Sequence, residues 1–136
     1  LLRRRIENGS TPPALSQVVG ADRLTTMRES LEQVSVHQDV TGYIVALATA
    51  TRQHPQVVVG ASPRACLELQ QLARGRALLD GRDYVVPEDV KAMTVPALAH
   101  RISLRPEMWV RRIRGADLLA EILEQVPAPR TGTHNG

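Results

Sequence analysis

A glycine, a capping serine, a proline and an arginine stand together in Gly60-Ala61-Ser62-Pro63-Arg64-Ala65. They are the residues of this chain best arranged to meet an anion. The Ser62 hydroxyl can accept a hydrogen bond from a free backbone N–H one turn ahead. Pro63 suits the first helical position, where its missing N–H costs nothing and its φ is already helical. Arg64 then falls in the first turn, at the positive end of the helix dipole, where a cation gains nothing locally. An anion supplied from elsewhere would give it a purpose; the plainer alternative is a solvated surface arginine.

Other chemistry-bearing residues form no comparable set. Glu88 and Asp89 are adjacent carboxylates, a pair that acid–base or metal chemistry uses, but they follow Pro87 at a helix start, where the dipole already explains them. The histidines, His37, His54, His100 and His134, have no ligand-like spacing, and a single cysteine, Cys66, can form no internal disulfide. No metal site is expected. The chain has neither a G-x-x-x-x-G-K-[ST] phosphate loop nor a G-x-G-x-x-G turn. A serine nucleophile would need a base and an orienting acid, and nothing specifies them. Read from its residues alone, the chain is no enzyme.

The 136 residues suffice for one domain, and without Phe and with one Trp its core must be Leu, Val, Ile and Ala, which suits helices packed on helices. The net charge of +3 rests on sixteen arginines and one lysine. Arg3-Arg4-Arg5 and Arg111-Arg112-Arg114 are not interleaved with aromatics that could stack on bases, so solvated helix faces explain them better than nucleic acid. No run is long and apolar enough to cross a bilayer, and no signal peptide is visible. A cytoplasmic setting is the default expectation. The chain begins with Leu1, which suggests a piece of a longer protein.

Five helices must position these residues. The first is expected from about Ala21 to Val34, with Leu24, Met27, Leu31 and Val34 on one stripe. The second runs from about Asp39 to Arg52, with Val40, Tyr43, Ile44, Leu47 and Thr51 facing inward. Gln56-Val57-Val58-Val59 reads as an extended segment rather than a strand. The central helix spans Pro63 to about Leu79, with Cys66, Leu69, Leu72, Ala73 and Leu79 as core candidates, and Gly81 supplies the left-handed stop. The next starts at Pro87 and should kink or split at Pro96. The last runs from about Ala116 to Val126. Tyr84-Val85-Val86 and Ile102-Ser103-Leu104 are candidates for a minimal two-stranded ribbon, and Trp109 for a partly buried anchor. The prediction is an all-α fold, a small helical bundle with at most that ribbon, and with Leu24, Leu47, Leu69, Leu72, Leu119 and Ile122 inside.

An ordered set of words along the chain resembles the C-terminal lid of AAA+ ATPases of the MoxR family. These are Tyr43-Ile44-Val45, Thr51-Arg52, Gly60-Ala61-Ser62-Pro63-Arg64-Ala65, Gly81-Arg82-Asp83-Tyr84-Val85, Pro87-Glu88-Asp89-Val90, His100-Arg101-Ile102 and Val126-Pro127-Ala128-Pro129. Val86 departs from the pattern, since the family usually has Thr or Ser capping the next helix there. The resemblance implies that Arg64 is the sensor-2 arginine, reaching the γ-phosphate of ATP held with Mg2+ in a core domain. It gives Arg52 a weaker claim to nucleotide binding, beside a bracing role through a carboxylate.

On this reading residues 1–17 are the end of a core-domain helix plus a hinge, 18–129 the lid, and 130–136 a disordered tail. The implied partners are the chain's own ATPase core, neighbouring subunits of a ring, commonly a hexamer, and a client protein that chaperone-like remodelling would activate. No nucleic acid and no transmembrane segment is expected. Two other readings fit the same stripes: a free-standing helical interaction module, and a nucleic-acid-binding helical domain.

Overall fold

The computed structural model describes residues 16–130. The expected core-domain helix end, nearly all of the hinge, and residues 131–136 of the expected tail lie outside them. Among the described residues are six helices and two short strands: α1 (Ala21–Gln33), α2 (Gln38–Gln53), β1 (Val57–Val59), α3 (Pro63–Leu79), α4 (Pro87–Leu98), β2 (Ser103–Leu104), α5 (Pro106–Val110) and α6 (Gly115–Gln125). The fold is a small helical bundle carrying one two-stranded antiparallel sheet.

The core lies between α2, α3, α4 and α6, which pack against one another. Leu47, Leu69, Val90, Leu98, Leu118, Leu119 and Ile122 are buried there. On α3 the inward residues are Ala65, Leu69, Ala73 and Ala77, spaced by four. The three alanines on that stripe let α2 and α4 approach α3 closely, and burial of the apolar side chains around them drives the assembly.

That stripe corrects the expected interior. Leu72 and Leu79 sit off it and are exposed. Leu24 and Met27 are also half exposed, and α1 buries no residue fully. The reason is tertiary: α1 leans mainly on α3, with Leu31 against Gly75 and Glu32 paired with Arg74 at 2.7 Å. Its apolar stripe is therefore only partly covered. Trp109 is exposed as well, because α5, a single helical turn missing from the sequence reading, turns Met108 inward instead.

The ribbon exists, but with other strands. Val57 pairs with Leu104 and Val59 with Ser103, across a bulge. Tyr84 instead forms an isolated parallel bridge to Ser35, with the Val85 N–H donating to the Ser35 carbonyl at 3.0 Å. Each of the two expected segments has another partner: Ser35 takes the Tyr84 segment, and Val57–Val59 takes Ser103–Leu104. Val57–Val59, which read as merely extended, is free to pair.

α4 runs unbroken through Pro96. The proline falls in the last turn, where only one carbonyl loses its helical partner and few bonds remain to be disrupted. At the other end Val86 offers no side-chain cap, and Asp89 acts from within the helix, accepting the Val86 N–H at 2.9 Å.

Two helices end in the same turn. After α3, the Gly81 N–H donates to the Leu78 carbonyl and the Arg82 N–H to that of Ala77, at 3.0 and 2.9 Å, with Gly81 at φ 75°. After α5, Arg112 and Ile113 donate to Trp109 and Met108 at 3.1 and 3.0 Å, with Arg112 at φ 58°. Glycine is the expected occupant of this left-handed position. An arginine there costs about 1–2 kcal/mol of backbone strain.

Candidate functional site

The start of α3 is built as the residue types require. The Ser62 Oγ accepts the Ala65 N–H at 3.3 Å, and Pro63 follows at the first helical position. The loop ahead of it is held by the end of α2. Thr51 is fully buried; its Oγ1 donates to the Ala48 carbonyl at 2.7 Å and accepts the Ala61 N–H at 2.9 Å. Arg52, the next residue, donates through Nη1 to the Ala61 carbonyl at 2.7 Å and through Nη2 to the Thr49 hydroxyl at 3.1 Å. Both polar groups of the buried Ala61 backbone are thus taken by consecutive residues of one helix turn. Gly60 completes the joint: a Cβ there would lie 2.7 Å from the Arg52 Cα, so only glycine lets the loop approach this closely.

On this platform Arg64 projects into solvent with 85% of its side chain exposed. Its Nε lies 3.3 Å from Glu68 Oε1, one turn along the helix. Glu68 is shared, since its other oxygen pairs with Arg101 in the turn after α4. An exposed (i, i+4) pair of this kind contributes only about 0.3–0.5 kcal/mol. Arg64 can leave Glu68 for a stronger anion while Arg101 keeps the carboxylate neutralised.

The Arg52 guanidinium braces the Arg64 loop, and the partner is a backbone carbonyl rather than the expected carboxylate. From sequence alone Arg52 had a weaker claim to nucleotide binding beside a carboxylate brace, and Thr51 was only a matching letter. Their hydrogen bonds span nine and ten residues and have no local signature.

Asp89 is a structural ion. Its carboxylate is buried and takes two bonds from Arg82, at 2.8 and 2.7 Å, with Arg76 Nε at 3.6 Å. Burial alone would raise its pKa, but the hydrogen bonds from Arg82 and the Val86 N–H, with the charges of Arg82 and Arg76, hold it below the ordinary carboxylate value. The same bonds raise the Arg82 pKa. This pair ties the turn after α3 to the start of α4, so Asp89 is not free for acid–base work. Glu88, its neighbour, is exposed.

The histidines cap. His37 Nδ1 accepts the Asp39 N–H at 3.3 Å and His54 Nδ1 the Gln56 N–H at 3.2 Å. His100 is exposed, and His134 lies outside the described residues. Among the described residues no three His, Cys, Asp or Glu side chains gather as a metal site would require. Nor is any described helix long and apolar enough to cross a membrane.

Residues 49–122 match the family model of the AAA lid domain. The chain is 33% identical over 131 residues to the chaperone MoxR1 of Mycobacterium tuberculosis, covering 90% of this chain and 35% of that protein. To the protein MoxR of Methylorubrum extorquens it is 35% identical over 127 residues, covering 82% of this chain and 37% of the relative. It thus spans about a third of these relatives' length. A crystal structure described as a candidate ATPase from Cytophaga hutchinsonii superposes with a TM-score of 0.79 and 27% identity, over 95% of this chain and 42% of that one.

Proposed function

Since the chain belongs to the AAA lid domain family, of the MoxR type, we propose that it closes over ATP bound by a core domain and senses the γ-phosphate through Arg64. The observation that carries this reading is an exposed guanidinium on a rigid mount. Thr51, Arg52 and Gly60 lock the loop, Ser62 and Pro63 set the helix start, and only a weak pair to Glu68 holds the side chain.

An arginine can offer two parallel N–H bonds to phosphate oxygens, and a cation already in position stabilises charge as the phosphoryl group is transferred. The first-turn dipole of α3 favours the same anion. Exposed Arg64 therefore fits the phosphate end of a nucleotide. Magnesium has no comparable cluster among the described residues, and its ligands are assigned to the core domain. Loss of the γ-phosphate removes the Arg64 contact and releases the lid, which converts hydrolysis into movement. Arg52 is a positioning residue in this scheme. The whole protein is then a chaperone-like ATPase working as a ring, in which the lid's movement acts on a client protein.

The test is made in the full-length protein, with ATP turnover and melting temperature measured together. Arg64→Ala should lower turnover at least tenfold at unchanged Tm, because alanine is a good helix former and the cap remains. Arg64→Lys should recover part of the rate, having charge but no planar fork. Ser62→Ala should lower stability by about 1 kcal/mol with a smaller effect on turnover. Wild-type hydrolysis by Arg64→Ala would reduce Arg64 to a surface arginine.

A further inference from the structure

We propose that the groove between β2 and the α5–α6 turn binds a short acidic peptide of a protein partner, its carboxylate on Arg112 and an adjacent apolar side chain against Trp109. The groove holds about 600 Å³ and is walled by Ile102, Leu104, Trp109, Arg112 and Ile113. This inference is independent of the role given to Arg64.

Three observations converge. Trp109 is 79% exposed, although α5 has an inward side that Met108 fills. A large aromatic left outside the core beside a concave apolar surface is the kind of anchor that interfaces use. Arg112 occupies the left-handed position of the α5 terminal turn, where the matching turn of α3 carries Gly81. The fold itself would be better served by glycine, so the arginine's value lies in its side chain. Among the described residues that guanidinium has no carboxylate within ion-pair distance and no aromatic ring beneath it. Arg114, its neighbour in the groove wall, is already held by Asp117 at 3.1 Å. Charge complementarity therefore calls for one carboxylate at Arg112, which a guanidinium takes with two parallel bonds.

The other macromolecules fit less well. A nucleic-acid backbone follows a track of free cations, whereas the groove wall offers one, Arg112, since Arg114 is paired with Asp117. A bilayer meets a broad set of protruding apolar side chains, whereas here only Trp109 and Val110 protrude and Ile102, Leu104 and Ile113 line a recess.

The experiment pans random short peptides displayed on phage against this chain, which has its own buried core. Selected peptides are then titrated with Trp109, its one tryptophan, as the fluorescent reporter. Selected sequences should place Asp or Glu beside Leu, Ile or Phe, and binding should shift Trp109 emission. Arg112→Gly should weaken binding at least tenfold while raising Tm by a few degrees, a combination that a damaged fold cannot produce. Arg112→Lys should retain part of the affinity. The proposal is overturned if no peptide is enriched, if the enriched ones lack acidic residues, or if Arg112→Gly binds like wild type or melts lower. Tighter binding to oligothymidine or to phosphatidylserine vesicles than to any selected peptide also overturns it, in favour of a nucleic acid or a membrane.

Discussion

Single atoms decide the joint beneath Arg64. Adding one methyl in Gly60→Ala would force the loop away from the Arg52 backbone, which cannot retreat because it belongs to α2. The expected loss is about 1–3 kcal/mol, as for other overpacked sites, read as a lower denaturant midpoint at unchanged m-value. Thr51→Val keeps the shape but strips the Ala61 N–H of its acceptor, and should cost about 1–3 kcal/mol by the same measurement. Tyr43 is the opposite case. Its ring is buried, its hydroxyl finds no hydrogen-bond partner among the described residues, and burial, aided by Glu88, raises its pKa. Tyr43→Phe should therefore be neutral or slightly stabilising. A clear drop in Tm would show that the hydroxyl has a partner after all.

At the scale of elements, the Arg82–Asp89 pair fastens α3 to α4. Breaking one side of a buried pair strands the other charge, and with Arg82 still near Asp80 and partly solvated the cost of Asp89→Asn should be about 3 kcal/mol. The pH dependence follows from the direction of the shift. Asp89 has a folded pKa below its unfolded value of 3.8. Its contribution is complete above that value and is lost as pH falls through the folded pKa. Urea midpoints measured from neutral pH down to strongly acidic solution should show a steep acid limb for wild type that is shallower in Asp89→Asn. Parallel limbs would mean that other carboxylates govern acid unfolding.

For the whole molecule, α1 is expected to be an accessory to a cooperative unit formed by the remaining helices. It buries no residue fully and touches α3 through Leu31 and the Glu32 contacts with Gln71 and Arg74. A chain shortened to begin at Val34 should keep the core, since Val34 and the Ser35–Tyr84 bridge remain. It should still unfold in one transition, with Tm lowered by a few degrees. Loss of cooperative unfolding would mean that α1 is integral. The 136-residue chain should itself turn over no ATP, since it carries no phosphate loop. Metal-dependent turnover by the purified chain would contradict the division of labour between lid and core.

Helix starts and stops were legible from residues alone because they are governed within a few positions. Ser62-Pro63 and Pro87 open helices and Gly81 closes one, each through bonds spanning a single turn. The likeness to MoxR-type lids was readable for the same reason, in short words such as Gly60-Ala61-Ser62-Pro63-Arg64. Periodicity identified helical stripes but not how much of each would be covered. Leu24 and Leu72 matched the pattern of core residues and lie outside, and Trp109, expected as a partly buried anchor, is exposed, because coverage depends on which neighbours arrive. The strand pairing of Val57–Val59 with Ser103–Leu104 and the clamp of Thr51 and Arg52 on Ala61 both depended on distant backbone segments meeting. Local chemistry acts through neighbours in the chain; burial, pairing and bracing act through neighbours in space, which only the folded chain brings together.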